Sequence, residues 1–196
     1  MVQKPIQPIG PEEIVYQGKI HEIVEQRMRT GEKEQVFEFA RRSPGVRLII
    51  PSSSSSLILT KEYRHEVRGF DVRLPGGKVF DTLQEYNSFL KSGVDIVSVA
   101  GEAAKKEARE EVGIEVEEIQ YYYTSKEASA TLVYDLLYFV VTRFHKRSDG
   151  QSLEHGEDIE LVEVSFEEAR KMCLDGRMQE DRSAAVLIRF FHSHNV

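Results

Sequence analysis

The sequence predicts an α/β protein with a small antiparallel β region at its N-terminal end. Three observations carry this. Short apolar, β-branched segments punctuated by turn residues occupy the stretch from Ile14 to Thr60. A helix-forming run, GEAAKKEAREEVGI from Gly101 to Ile114, is followed by two more strand-like stretches, 114–119 and 132–142. The chain then closes on two helical segments, one through Ala169–Leu174 and one over Arg182–Phe191. Strands and helices interleaved in this way bury their apolar faces by packing in layers.

In chain order, residues 1–13 carry Pro5, Pro8 and Pro11 among polar neighbours and read as a loose arm. Ile14–Tyr16, Ile20–Val24 and Gln35–Ala40 are strand-like, with Thr30-Gly31-Glu32-Lys33 as a turn between the last two. This divides the chain into an arm and β appendage over 1–43 and a main domain over 44–196. Val46–Ile50 and Leu57–Thr60 form a strand pair, and the serine run Ser52–Ser56 is of ordinary hairpin-loop length. Thr82–Lys91 predicts a short helix with Leu83, Tyr86 and Leu90 on one face and Gly93 beyond its end. Glu102–Val112 lacks Pro and internal Gly and is rich in Ala, Glu and Lys, and Gly113 supplies a left-handed stop. The most apolar stretch, LVYDLLYFVVT (132–142), is the expected central strand, and polar 143–158 is a mobile loop. Leu161–Val164 is the last strand.

A chain of 196 residues with 40% hydrophobic content is long enough for a real core. The formal net charge of -7 argues against a nucleic-acid grip, which needs basic patches. A single cysteine, Cys173, excludes an internal disulfide and fits a reducing, cytoplasmic setting, and its helical context makes it a core residue. No run is apolar and long enough for a membrane helix, and the first twenty residues lack the apolar centre of a signal peptide.

Chemistry concentrates in the helix after Gly101. Glu107, Glu110 and Glu111 stand at i, i+3 and i+4, which puts three like charges on one face of an α-helix. A solvated surface helix has the same composition. A hard divalent cation with oxygen ligands would relieve the repulsion.

Together with Leu74-Pro75-Gly76-Gly77-Lys78 upstream, the run KEAREEVGI resembles the Nudix box. The resemblance to the Nudix hydrolase family runs over about residues 14–192. It is strongest over 57–78 and 102–114. It implies an α/β/α sandwich with a mixed sheet and an N-terminal antiparallel β appendage. It also implies that the carbonyl of Gly76, with Glu107, Glu110 and Glu111, holds Mg²⁺ or Mn²⁺. The segment Glu62-Tyr63-Arg64 is similar to one in the ADP-ribose pyrophosphatase branch. There the arginine grips the anionic part of the substrate, as a planar guanidinium suits. The resemblance implies that Gly77 borders the same substrate, with Lys78 either touching its phosphate or solvated. Glu154-His155-Gly156-Glu157-Asp158 resembles an acidic loop supplying a further ligand, matched by Glu157, and a general base, matched by Glu154; Glu110 joins Glu154 as a catalytic carboxylate. Tyr121–Ser125 falls at a substrate-side loop of the family.

Two departures stand out. Thirty residues separate Gly77 from Glu107, more than the family's spacing, and the excess lies within 79–97. Ser98 and Lys106 replace a glutamate and an arginine that help orient the family's helix, leaving Glu102 and Lys106 as an i,i+4 pair.

The resemblance implies hydrolysis of a nucleoside diphosphate sugar, with ADP-ribose split to AMP and ribose 5-phosphate as the leading expectation. GDP-mannose or a UDP-sugar is the alternative substrate. A non-catalytic sensor with a degenerate box is the remaining one. The branch exchanges its β appendage between two chains, so a homodimer is expected, without nucleic-acid or membrane partners.

Overall fold

The structure is a computed structural model that describes residues 5–127 and 131–196. Its elements begin with β1 (Gln7–Pro8), β2 (Glu13–Gln17), β3 (His21–Thr30), β4 (Lys33–Arg42), β5 (Gly45–Pro51), β6 (Ser56–Arg64) and β7 (Gly69–Arg73). Helices α1 (Leu83–Leu90) and α2 (Ile96–Glu107) follow, and a π-helical turn, Ala108–Val112, continues α2. The chain ends with β8 (Ile114–Ser125), β9 (Leu132–Val133), β10 (Leu136–Lys146), β11 (Ile159–Ser165), α3 (Phe166–Asp175) and α4 (Asp181–His194).

These elements form two compact units. The first draws its described residues from Met1–Pro44, Phe80–Gly93 and Lys126–Asp135; the second comprises Gly45–Val79, Val94–Ser125 and Leu136–Val196. Helix α1, expected as an extra piece of the main domain, thus belongs with the N-terminal strands.

In the first unit β3 and β4 form a hairpin, β1 and β2 add to β3, and β9 runs parallel to β4. Over its described part, residues 5–13, the proline-rich arm is pinned rather than loose; residues 1–4 lie outside the described residues. Ile9 N–H donates to the Arg27 carbonyl at 2.8 Å, and the Gln26 amide donates to the carbonyls of Ile9 and Gly10. Alternation along β3 turns Glu22, Val24 and Gln26 inward. Glu22 has no exposed surface, so its charge requires partners. Arg41 Nε donates to it at 2.8 Å, and Asn87 Nδ2, on α1, at 2.9 Å. Helix α1 begins on a capping box between Thr82 and Glu85. It buries Leu83 and Tyr86 as expected, but Leu90 is 47% exposed. Phe89 turns inward in its place and packs on Phe80, with ring centroids 5.0 Å apart.

In the second unit the sheet order is β11-β6-β5-β10-β8, with β7 also on β6. Strand β10 is parallel to β5 and antiparallel to β8, so the sheet is mixed. The serine run is a hairpin loop, closed by Ser52 N–H on the Ser56 carbonyl at 3.0 Å. Adjacent residues of β10 point to opposite faces. The Tyr138 hydroxyl meets Ser183 of α4 at 3.3 Å, whereas Phe139 lies against Gly101 of α2. The sheet therefore lies between α2 and α4, and α3 joins α4 through Phe166 and Phe191.

Three expectations are corrected. The stretch 132–142 is not one strand: it breaks at Tyr134–Asp135, where the chain leaves the first unit and enters the second. Tyr121–Ser125 is part of β8 rather than a loop. Tyr122 packs on Phe190 and His194, and Tyr121 packs on Phe139. The helix expected over 102–112 starts earlier, at its Asp95 cap, and is α-helical only to Glu107. Cys173, expected in the core, is only half-buried; it packs near Met178, and burial pushes its thiol up to about 11.

Arg41→Met tests the buried carboxylate of the first unit. It strands the Glu22 charge and is expected to lower stability by about 3–5 kcal/mol, read from denaturant unfolding. Adding Glu22→Leu should recover most of that loss, and a double variant as unstable as the single one would contradict the pairing.

Candidate active site

The site is built on a loop laid along the start of β5. Val46 N–H donates to the Gly77 carbonyl and Leu48 N–H to the Pro75 carbonyl, both at 2.9 Å. Between these two engaged carbonyls, that of Gly76 carries no hydrogen bond among the described residues. Gly76 has φ +144°, and a Cβ there would lie 2.1 Å from the Val46 carbonyl oxygen. At Gly77 a Cβ would lie 2.0 Å from Glu107 Oε1. Only glycines let this backbone lie between β5 and the acidic turn.

Glu111 Oε2 accepts the Gly76 N–H at 2.7 Å. The π-turn accounts for which carboxylate does this. Its extra residue per hydrogen-bonded loop rotates later side chains away from α-helical spacing, and such turns recur at functional sites. Glu111 is the carboxylate turned inward, 8% exposed, while Glu110 leans to Lys106 at 3.7 Å. Glu102 pairs with Lys105 at 2.8 Å. Asp95 at the head of α2 receives the Ser98 N–H, so Ser98 is engaged in capping.

Burial raises the Glu107 carboxyl to about 7, assisted by the charges of Glu110, Glu157 and Glu154 and opposed by Lys106. Burial raises Glu111 to about 8; the Gly76 hydrogen bond and the charge of Arg47 oppose this, and the charges of Glu107 and Glu157 add to it. Burial is the larger cause for both, so these carboxyls hold their protons to higher pH than an exposed glutamate, and the neighbouring carboxylates add to the effect. Glu157 and Glu154 come from the loop before β11, where Glu154 N–H donates to Glu157 Oε2 at 2.9 Å.

Behind the glycine loop lies a charge pair that the sequence reading missed. Arg47 donates through Nε and Nη2 to Glu180 at 2.9 and 2.6 Å, and through Nη1 to the Val46 carbonyl at 2.9 Å. Burial would raise Glu180, but Arg47 outweighs it and holds the carboxyl at about 2. An arginine inside the apolar run GVRLII was the available clue.

The expected site residues divide into two sets. In one, Glu111 meets Gly76 by a hydrogen bond, Glu107 lies against Gly77 and Glu154 meets Glu157, while Glu110, Glu154 and Glu157 act on Glu107 through their charges. Arg64 instead pairs with Glu62 at 2.8 Å, with its Nε buried and unpartnered, and Lys78 is exposed. Among the described residues no three acidic, histidine or cysteine side chains already converge as a finished cation cage. The donor set is nonetheless all oxygen, which suits a hard cation, and a cation would favour the ionised form of carboxyls that burial raises. The residues fit Mg²⁺ or Mn²⁺ on that ground.

No family model matches the sequence, and no curated protein matches it. The structure is similar to a solved one titled as an ADP compounds hydrolase, with a TM-score of 0.71 at 17% identity. The match covers 100% of this chain and 98% of the other. The likeness shows the fold, and the Nudix-type α/β sandwich with a mixed sheet is the one expected from the sequence. Among the described residues no helix is long and apolar enough to cross a membrane.

The raised carboxyls predict how the metal-free protein responds to pH. Glu107 and Glu111 have folded values above the ordinary 4.5, so the folded chain binds more protons than the unfolded one between about 4.5 and about 8. Their contribution to stability is greatest at the acid end of that window and declines as pH rises. Melting temperatures in EDTA should fall across it, and the Glu107→Gln, Glu111→Gln double variant should flatten the slope. An unchanged slope in that variant would contradict the assignment.

Proposed function

We propose that this protein is a metal-dependent Nudix hydrolase of nucleoside diphosphate sugars, with ADP-ribose, cleaved to AMP and ribose 5-phosphate, as its leading substrate. The observation that carries this reading is the Gly76–Gly77 loop seated on the Glu107 and Glu111 carboxyls, with the Gly76 carbonyl left without a hydrogen bond. Fold likeness to an ADP compounds hydrolase supports the same direction.

The Gly76 carbonyl and the carboxylates of Glu107, Glu110, Glu111 and Glu157 would hold the cation. Bound Mg²⁺ or Mn²⁺ supplies charge neutralisation for the diphosphate and lowers the pKa of the attacking water. Glu154, on the exposed turn of its loop, accepts the proton of that water, and Glu110 assists from the turn. Arg64 carries a buried Nε with no partner and would use it in orienting the anionic substrate, with Lys78 and Gly77 at the loop's edge. Polar groups of this kind are more useful to a ligand than to a resting surface, because an unpaired buried donor is costly.

The protein also acts as a homodimer in this proposal. Ile14, Val15, Tyr16, Ile20 and Val36 of the first unit are each about half exposed, from 46% to 62%, and a second copy would cover them. A cytoplasmic setting suits a chain with one thiol.

The test is a hydrolysis panel with Mg²⁺ holding ADP-ribose, GDP-mannose, UDP-glucose and NADH, run on wild type and on Glu111→Gln. AMP from ADP-ribose is expected. The loss in the variant should exceed the ~10–100-fold typical of an outer-shell change. Turnover of another sugar nucleotide alone would replace the substrate. Tight binding without turnover of any would leave a sensor.

A further inference from the structure

We propose that Gln151 is the positioning residue that fixes the acidic turn against the loop bearing Glu154 and Glu157. In doing so it sets the spacing between cation-holding and proton-accepting groups. The inference rests on the function proposed above and assigns a role to a residue outside its ligand set.

The end of a helix leaves its last carbonyls without intrahelical donors. Here Gly113 N–H closes the π-turn on the Ala108 carbonyl, and donors from the loop meet two of the carbonyls that follow. Ser152 N–H donates to the Glu110 carbonyl at 2.9 Å. Gln151 Nε2 donates to the Glu111 carbonyl at 2.6 Å and to the Ile159 carbonyl at 3.2 Å. A primary amide carries two N–H donors, so one side chain bridges the end of the acidic turn and the first residue of β11. Gln151 and Ile159 flank residues 152–158, so the same amide closes the base of the loop and ties it to the acidic turn.

The backbones beneath it are in direct contact. Gly113 has φ +70°, and a Cβ there would lie 2.6 Å from the Gly150 carbonyl carbon. Arg147 N–H donates to the Gly113 carbonyl at 2.9 Å. Within the loop, Glu157 N–H donates to the Glu154 carbonyl at 3.1 Å, so the two carboxylates form one turn. Turn and loop carry charge of one sign and repel, more strongly in a partly buried setting than in water. A strap made of neutral donors holds them together without adding a charge to the site. A loop expected to be mobile is thereby tied at its base to the residues it serves.

The test uses Gln151→Leu, which keeps the bulk and removes both donors, and Gln151→Glu, which places acceptors opposite two carbonyls. With ADP-ribose and Mg²⁺, kcat is expected to fall about 10–100-fold in Gln151→Leu, and half-activation should require more Mg²⁺. KM should stay within about twofold, the split that separates lost positioning from lost binding. Gln151→Glu should be impaired at least as much, and it takes the place of Gln151→Leu if that variant does not fold. Hydrogen exchange should quicken together in 108–113 and 152–158. Wild-type kcat and Mg²⁺ dependence in a folded variant would overturn the assignment, as would exchange that quickens in the loop alone. If the wild type hydrolyses no nucleoside diphosphate sugar, the proposed function fails. The exchange pattern and an Mn²⁺ binding titration still decide the role of Gln151. Joint quickening with weaker Mn²⁺ binding sustains it; quickening of the loop alone overturns it.

Discussion

The contact between Glu111 and the Gly76 amide is the interaction on which the site depends. It brings a carboxylate inside the second unit and against a backbone loop that only glycine can make. One hydrogen bond does not offset the burial, since the Glu111 carboxyl still rises to about 8. The surrounding structure can be read as the means of sustaining that arrangement. Strand β5 holds the glycine loop through two backbone hydrogen bonds, Arg47 braces the Val46 carbonyl behind it, and Glu180 balances Arg47.

This division of labour separates two kinds of buried charge. Glu22 with Arg41 and Glu180 with Arg47 are compensated pairs, each with additional hydrogen bonds. Such pairs specify geometry more than they add stability. Glu107 and Glu111 are not compensated in this way, and strongly raised carboxyls grouped around a glycine loop are the usual mark of a functional site rather than of a scaffold.

Much of the fold was legible from local chemistry. The Thr82 cap, the Gly31 turn, the serine hairpin and the Gly113 stop each sit where their residue types require. What the sequence hid was long-range. Nothing local in Leu132–Thr142 announces that its first two residues pair with β4 while the rest enters another sheet. The π-turn was also hidden, because AREEV has ordinary α-helical composition. At the site, the glycine loop and acidic turn were readable as a motif. Arg47, Glu180 and Gln151 were not, since each acts through a partner distant in the chain or through backbone carbonyls. Arg64 was expected at the substrate, and its ion pair is with Glu62, two residues earlier on the same face of β6.

In the proposed function Glu107 and Glu111 hold a divalent cation. The most direct test of that role is calorimetric titration of Mn²⁺ into the metal-free protein near pH 7, repeated in buffers of different ionisation enthalpy. Ligand carboxyls that hold protons must release them on binding. Saturable binding is expected with net proton release near pH 7 that vanishes as the pH is taken well above 8 and that is reduced in Glu111→Gln, where only Glu107 still holds a proton to give up. Binding without proton release, or release that survives Glu111→Gln unchanged, would contradict it.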